Sequence, residues 1–204
     1  MTEPQATVLF VCTGNICRSA YGHHLLARRL EDDAPGRYRV VSAGTQVNPR
    51  LTVPPQVHAL PRAGSLQTLT DHAPTQLTGR TVAGADLLLA ATSDHSAVIL
   101  RETPAALNRS FTMLEFGAAA RAMATGTIPA WPAPAVGSTT LAEDVRSLAR
   151  HVSRHRPRVR GSLATIDLPD PYGQADTAYT EMASALEPAV EHIADLLVGL
   201  ARRG

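Results

Sequence analysis

Ala6-Thr7-Val8-Leu9-Phe10-Val11-Cys12-Thr13-Gly14-Asn15-Ile16-Cys17-Arg18-Ser19 is the stretch from which the fold can be read. Ala6 to Val11 is a near-continuous apolar run with β-branched and aromatic residues, the composition of a central parallel strand covered on both faces. The run stops abruptly in a Cys, five further residues and an Arg, which reads as a strand, an anion-cradling loop and a helix start. Such a loop can wrap backbone N–H groups around a tetrahedral oxyanion, with the thiol beneath the anion and the guanidinium beside it. Inward N–H groups, a helix N-terminus and an Arg are also the surroundings that favour a thiolate, the nucleophilic form of cysteine. Arg18 supplies a planar fork that binds two phosphate oxygens at once, which a Lys cannot copy. Gly14 and Asn15 tolerate the positive φ that a tight loop demands. A nucleotide-binding loop would end in Gly-Lys-Ser/Thr where this chain has Cys17-Arg18-Ser19.

Working outward, Arg18 to Leu30 carries Tyr21, Leu25, Leu26 and Leu30 at helical spacing, with Arg28 and Arg29 expected in its last turn. Arg39 to Ser42 reads as a second strand closed by Gly44. Pro54 and Pro55 can open a short helix that Pro61 and Gly64 end. Ala85 to Ala91 is a third strand, after which Ser93 or Asp94 is expected to cap a helix through Val98, Ile99 and Leu100. Phe111 to Leu114 is the fourth. Strands alternating with helices specify an α/β fold, a four-stranded, mostly parallel, doubly wound sheet with helices on both faces. Ligands of such sheets sit at the carboxyl ends of strands, where Cys12 lies. The last helix is marked by Tyr179, Met182, Leu186, Val190, Ile193, Leu197 and Leu200, and is expected to bury that face against the sheet. Pro188 predicts a kink or a broken hydrogen bond near Ser184.

The 204 residues suit one core, so a single domain is expected over 1–204. A net charge of +1 gives no reason to expect a nucleic-acid partner. With no export signal and no run of eighteen apolar residues, a cytoplasmic protein without membrane insertion is expected. Two cysteines inside one loop form no secreted disulfide framework and fit a reducing compartment. His23 and His24 are adjacent on a helix and point about 100° apart, so a metal is set aside. No cofactor is expected. Arg146, Arg150, Arg154, Arg156, Arg158 and Arg160, with His151 and His155, form a basic stretch that reads as a solvated helix face or as a docking patch for an acidic partner.

Val8 to Ser19 resembles the signature loop of the low-molecular-weight protein tyrosine phosphatases. Ser42-Ala43-Gly44-Thr45, Asp71-His72 with Gln76-Leu77-Thr78, and Asp170-Pro171-Tyr172 resemble further recurring segments of that family, the last being its general-acid loop. The resemblance implies hydrolysis of phosphotyrosine monoesters through a cysteinyl-phosphate. Cys12 is then the nucleophile, and Thr13, Gly14, Asn15, Ile16, Cys17 and Arg18 hold the phosphate. Ser19 hydrogen-bonds the thiolate, Asn15 supports the loop and Tyr172 walls the cleft. Asp170 is the general acid and base, in preference to Asp167, a surface or capping residue. His72 belongs to the supporting set. Cys17 lies close enough in the loop to form a disulfide with Cys12 under oxidation, which would protect the nucleophile. Ile16 favours phosphotyrosine over phosphoarginine, since the family's protein-arginine phosphatases carry Thr there.

The implied substrate is a phosphotyrosine protein or an aryl phosphate. Whether the protein partner is a cognate tyrosine kinase, an exopolysaccharide-export protein or a host protein stays open. Arsenate reduction would need cysteines beyond the loop, and a sulfurtransferase would not explain the Asp-Pro-Tyr. A phosphoarginine phosphatase and a catalytically idle phosphoprotein-binding module are the alternatives. The chain departs from the family in having Ala20 and His23 where a Pro and an acidic residue are usual, Thr92 and Ser93 ahead of Asp94, and Gly173-Gln174 after Tyr172. An insertion is expected at about 115–160, with a Pro-rich loop over Thr127 to Ser138 around Trp131 and a helix over Thr140 to His151. Its place before the acid loop would let it border the site.

Overall fold

The computed structural model describes residues 5–65, 67–135 and 139–203. The end of the Pro-rich segment, 136–138, lies outside the described residues. Strands β1 (Ala6–Cys12), β2 (Tyr38–Gly44), β3 (Leu87–Ala90) and β4 (Ser110–Thr112) form one sheet in the order β2-β1-β3-β4, with every pairing parallel. The helices are α1 (Arg18–Asp33), α2 (Pro55–His58), α3 (Gln67–Thr70), α4 (Gly79–Ala83), α5 (Ser93–Glu102), α6 (Met113–Ala124), α7 (Leu141–Arg160) and α8 (Asp176–Ala201). Alternation along β1 divides the core. Val8, Phe10 and Cys12 face one side, with Leu26, Phe116, Leu148 and Leu186 from α1, α6, α7 and α8. Leu9 and Val11 face the other, with Val82 and Ile99 from α4 and α5. Leu9 and Phe10 are at most 1 % exposed, and each such burial contributes about 1.5–3 kcal/mol.

Several element ends differ from the sequence reading. α1 continues to Asp33, so Arg28 and Arg29 sit before its last turn. Arg28 pairs with Asp32 at 3.7 Å, whereas Arg29 pairs with Asp33 and reaches Glu191 and Asp195 on α8. The cap of α5 is Thr92, whose side chain accepts from the His95 N–H, and not Ser93 or Asp94. β4 stops at Thr112 because that hydroxyl accepts from the Glu115 N–H in a capping box, which makes Met113 and Leu114 helical. The predicted face of α8 is buried, but its main neighbours are α6 and α1 rather than the strands. α8 runs through Pro188, whose missing N–H leaves the Ser184 carbonyl without its helical donor. No helix among the described residues is long and apolar enough to cross a membrane.

Within 115–160, α6 and α7 pack against each other. α7 is capped by Thr140 with Glu143, and runs nine residues beyond the expected His151. Arg146 near its start pairs with buried Asp86, which also accepts from the Thr7 N–H at 2.8 Å. Both Thr7 and Asp86 mark the amino ends of strands, so this half of α7 lies at the end of the sheet away from Cys12. Near the other end of α7, Arg156 and Arg160 pair with Glu115 at 2.9 and 2.7 Å, and Arg156 also covers the Phe111 ring. Three of the six arginines read as a solvated face or docking patch are therefore structural, because they neutralise carboxylates that are at most 4 % exposed. His151 is likewise buried and meets the Pro129 carbonyl at 2.9 Å.

Glu115→Ala is expected to lower unfolding stability by about 3 kcal/mol, because it leaves the Arg156 guanidinium without its carboxylate. Arg150→Ala, on the exposed face of α7, should change it by less than about 0.5 kcal/mol. Urea unfolding of the two variants beside the parent tests both, and equal losses would contradict the assignment.

Candidate active site

Cys12 ends β1 and is 2 % exposed, and Arg18 opens α1. Asn15 is the one non-glycine with positive φ (57°) among the described residues; Gly14 does not share it. That strained conformation is held from both ends of the Asn15 side chain. Its Oδ1 accepts from the Thr75 N–H at 2.9 Å, which fixes the amide's orientation, and its Nδ2 then donates to Ser19 Oγ at 2.9 Å. With that lone pair taken, the Ser19 hydroxyl proton is free for Cys12 Sγ, 2.9 Å away. Ser19 thus faces the sulfur and does not cap α1, whose start has no side-chain cap. The Asn15 carbonyl accepts from His72 Nε2 at 2.8 Å.

The segment after β2 backs the loop. Thr45 and Gln46 donate their N–H groups to the Cys12 and Thr13 carbonyls at 2.9 Å. A Cβ on Gly44 would stand 2.5 Å from the Thr13 carbonyl oxygen, so only glycine permits this approach. The Asp71-His72 and Gln76-Leu77-Thr78 stretches lie on either side of Thr75, whose carbonyl accepts from the Gly44 N–H.

The late loop meets the early one through Arg18. Arg18 Nη2 donates to Asp170 Oδ2 at 2.6 Å, and Nη1 to the Leu168 carbonyl at 3.4 Å. Leu168 in turn donates its N–H to the Ala91 carbonyl, just past β3. Arg18 is 4 % exposed, and its Nε has no hydrogen-bond partner among the described residues. A buried, unpaired donor beside the loop suits a phosphate oxygen. Asp170 is half exposed, and its Oδ1 accepts from the Tyr172 N–H at 3.2 Å. Tyr172 itself is 51 % exposed. Asp167 is turned away: its carboxylate accepts from the Ser93 N–H and hydroxyl at the start of α5.

Ile16 and Cys17 are buried in the loop. Both cysteines are free. Burial first, and then the Cys12 charge, pushes the Cys17 thiol up to about 12, so it is protonated at neutral pH.

His95 escaped the sequence reading. Its Nε2 lies 2.9 Å from Thr13 Oγ1 and its Nδ1 2.6 Å from Thr92 Oγ1, while Arg18 Nη2 reaches the same Thr13 oxygen at 3.5 Å. Burial, and then the Arg18 charge, lowers its pKa and holds the ring neutral. The Thr13 hydroxyl, accepting from Arg18, then donates to Nε2. The available signal was a histidine just past a strand that neighbours β1 in the sheet. The His23 and His24 rings, expected to diverge, stack at 4.3 Å, and His72 joins them.

The family model described as low molecular weight phosphotyrosine protein phosphatase matches residues 7–129. The low molecular weight protein-tyrosine-phosphatase Etp of Escherichia coli K12 is 38 % identical over 99 residues, 48 % of this chain and 62 % of that protein. The chain thus spans about six tenths of the length of this relative. A protein-arginine-phosphatase of Bacillus subtilis is 30 % identical over 109 residues, covering 53 % of this chain and 71 % of that one. Among solved structures, the tyrosine phosphatase Wzb of Escherichia coli K30 in complex with sulphate superposes with a TM-score of 0.62 at 22 % identity, over 94 % of this chain and 98 % of that one. A YwlE mutant of Bacillus subtilis gives 0.63 at 21 %, over 94 % and 97 %.

Proposed function

The chain belongs to the low molecular weight phosphotyrosine protein phosphatase family, and on that premise we propose that it hydrolyses phosphotyrosine monoesters of proteins. The observation that carries this reading is the meeting of Asp170 with Arg18 across 152 residues of sequence, in the loop that also holds Cys12. The Cys12 thiolate attacks phosphorus in line, so that a P–S bond forms as the P–O bond to the phenol breaks. Asp170 gives its proton to the departing oxygen. Water then attacks phosphorus, Asp170 takes the water's proton, and the P–S bond breaks to return thiolate and release phosphate. Arg18 and the loop N–H groups of 13–18 hold the equatorial oxygens throughout. An arriving phosphoryl group takes the Arg18 donors and releases the Asp170 carboxyl toward the leaving oxygen. Apolar Ile16 and exposed Tyr172 suit a phenyl ring. Similarity to the arginine phosphatase keeps phosphoarginine as the second substrate to test.

Side-by-side kinetics with a phosphotyrosine peptide and a phosphoarginine peptide test the substrate class, with phosphotyrosine expected to be the faster. Asp170→Ala should lower kcat on phosphotyrosine by about 10²–10⁴-fold. The loss should shrink for aryl phosphates whose phenol leaves without a proton. A parent that hydrolyses neither substrate, or an Asp170→Ala loss independent of the leaving group, would overturn the assignment.

A further inference from the structure

We propose that His23, His24 and His72 form a site for one imidazole-preferring divalent metal ion, of the Ni²⁺, Cu²⁺ and Zn²⁺ class, directly behind the phosphate loop. One ring nitrogen from each of the three lies within 4.8 Å of the other two. His24 Nε2 and His72 Nδ1 are already 3.0 Å apart. Two imidazole nitrogens bound to one tetrahedral ion stand about 3.3 Å apart, given metal–nitrogen bonds of about 2.0–2.1 Å. The pair therefore needs to open by only a few tenths of an ångström.

The outer partners set the inner lone pairs. His72 Nε2 must be protonated, because it faces the Asn15 carbonyl, and this leaves Nδ1 as a lone pair aimed at His24. His24 Nδ1 lies 2.8 Å from Thr68 Oγ1. A hydroxyl both donates and accepts, so the His24 proton can move from Nε2 to Nδ1 while Thr68 turns from donor to acceptor. The second lone pair is thus freed with no proton lost. His23 Nδ1 rests on Ser42 Oγ at 3.1 Å, and the ring also meets the Val40 carbonyl. Turning off that carbonyl and out of its stack on His24 brings the His23 lone pair to the ion as the third ligand. Imidazoles whose other nitrogen is fixed by a carbonyl or hydroxyl are the arrangement in which metal-bound histidines are found.

The rings are also in the protonation state a metal requires. Burial and the neighbouring imidazoles push His23 down to about 3, burial and His72 push His24 down to about 4, and burial lowers His72. None competes for the ion with a proton at neutral pH. A nitrogen-only donor set favours nickel, copper and zinc over magnesium or calcium. His72 connects the ion to Asn15, the strained residue of the loop.

The test does not depend on the phosphatase reading. Ni²⁺ is titrated calorimetrically into the full chain carrying Cys12→Ser, which removes the competing thiolate, and into the same chain with His24→Gln added. One equivalent should bind to the first, and at least tenfold more weakly to the second. Ring NMR signals of the first protein, followed with Ni²⁺, guard against a folding defect in the double variant. Broadening should begin at His23, His24 and His72. No binding, equal affinities, or broadening that begins at the His151–His155 pair would each overturn the site.

Discussion

A Cys12→Ser variant is expected to lose turnover of aryl phosphates by about 10⁴-fold or more, while still binding inorganic phosphate. The hydroxyl would occupy the sulfur's place at the end of β1, against Ser19, with the loop amides, Arg18 and Asp170 unchanged. What is lost is the sulfur nucleophile, since a serine hydroxyl is a far weaker one and, among the described residues, no base hydrogen-bonds at its place to activate it. Among the described residues, the side chain that meets the Cys12 sulfur is Ser19, which the Asn15 amide commits as donor to it. Single-turnover kinetics with excess enzyme, alongside phosphate titration, make the check. Retention of a tenth of the parent rate would remove Cys12 from the nucleophile's role. Loss of phosphate binding together with activity would mean that the loop had collapsed, and would deny that sulfur's contribution is chemical.

The second large effect is expected at Arg18, where Arg18→Lys should lower kcat/KM by about 10³-fold although the charge is kept. Arg18 acts through shape. Its Nη2 reaches Asp170 and Thr13, its Nη1 reaches the Leu168 carbonyl, and its buried Nε is left for an oxyanion. An ammonium group can take one of these positions but cannot present two parallel donors to phosphate while keeping the acid loop in register. The loss should therefore fall on kcat as well as on KM. A change confined to KM would show that Arg18 serves only as a positive charge for binding.

Glu115→Ala and Arg150→Ala separate the structural arginines of α7 from its exposed ones. That distinction was not legible in sequence. Arg146, Arg156 and Arg160 look the same as Arg150, Arg154 and Arg158 in a basic run, and only packing decides which of them meets Asp86 or Glu115. Element ends were similarly hidden where two reasonable caps compete. Thr92 lies next to Ser93 and Asp94, and Thr112 lies inside an apolar run. In both cases the position of the hydroxyl relative to an N–H three residues on settles the matter.

What the sequence by itself determined is the local chemistry. A strand that must be buried on both faces, a Cys-x5-Arg turn and a helix start are neighbours in the chain, so their mutual placement follows from backbone geometry alone. The α/β class follows from the alternation of such units, and resemblance pointed to Asp170 as the candidate for the distant acid. Tertiary structure alone decided how segments far apart in the chain meet that loop. Thr75 orients Asn15, His95 holds Thr13, Gly44 comes within reach of the Thr13 carbonyl, and three histidines from two segments collect behind Asn15. The reason is physical: periodicity reports which side of an element is buried, whereas a hydrogen bond between residues sixty or eighty positions apart depends on register and rotamer, which are fixed only when the helices and loops close on the sheet.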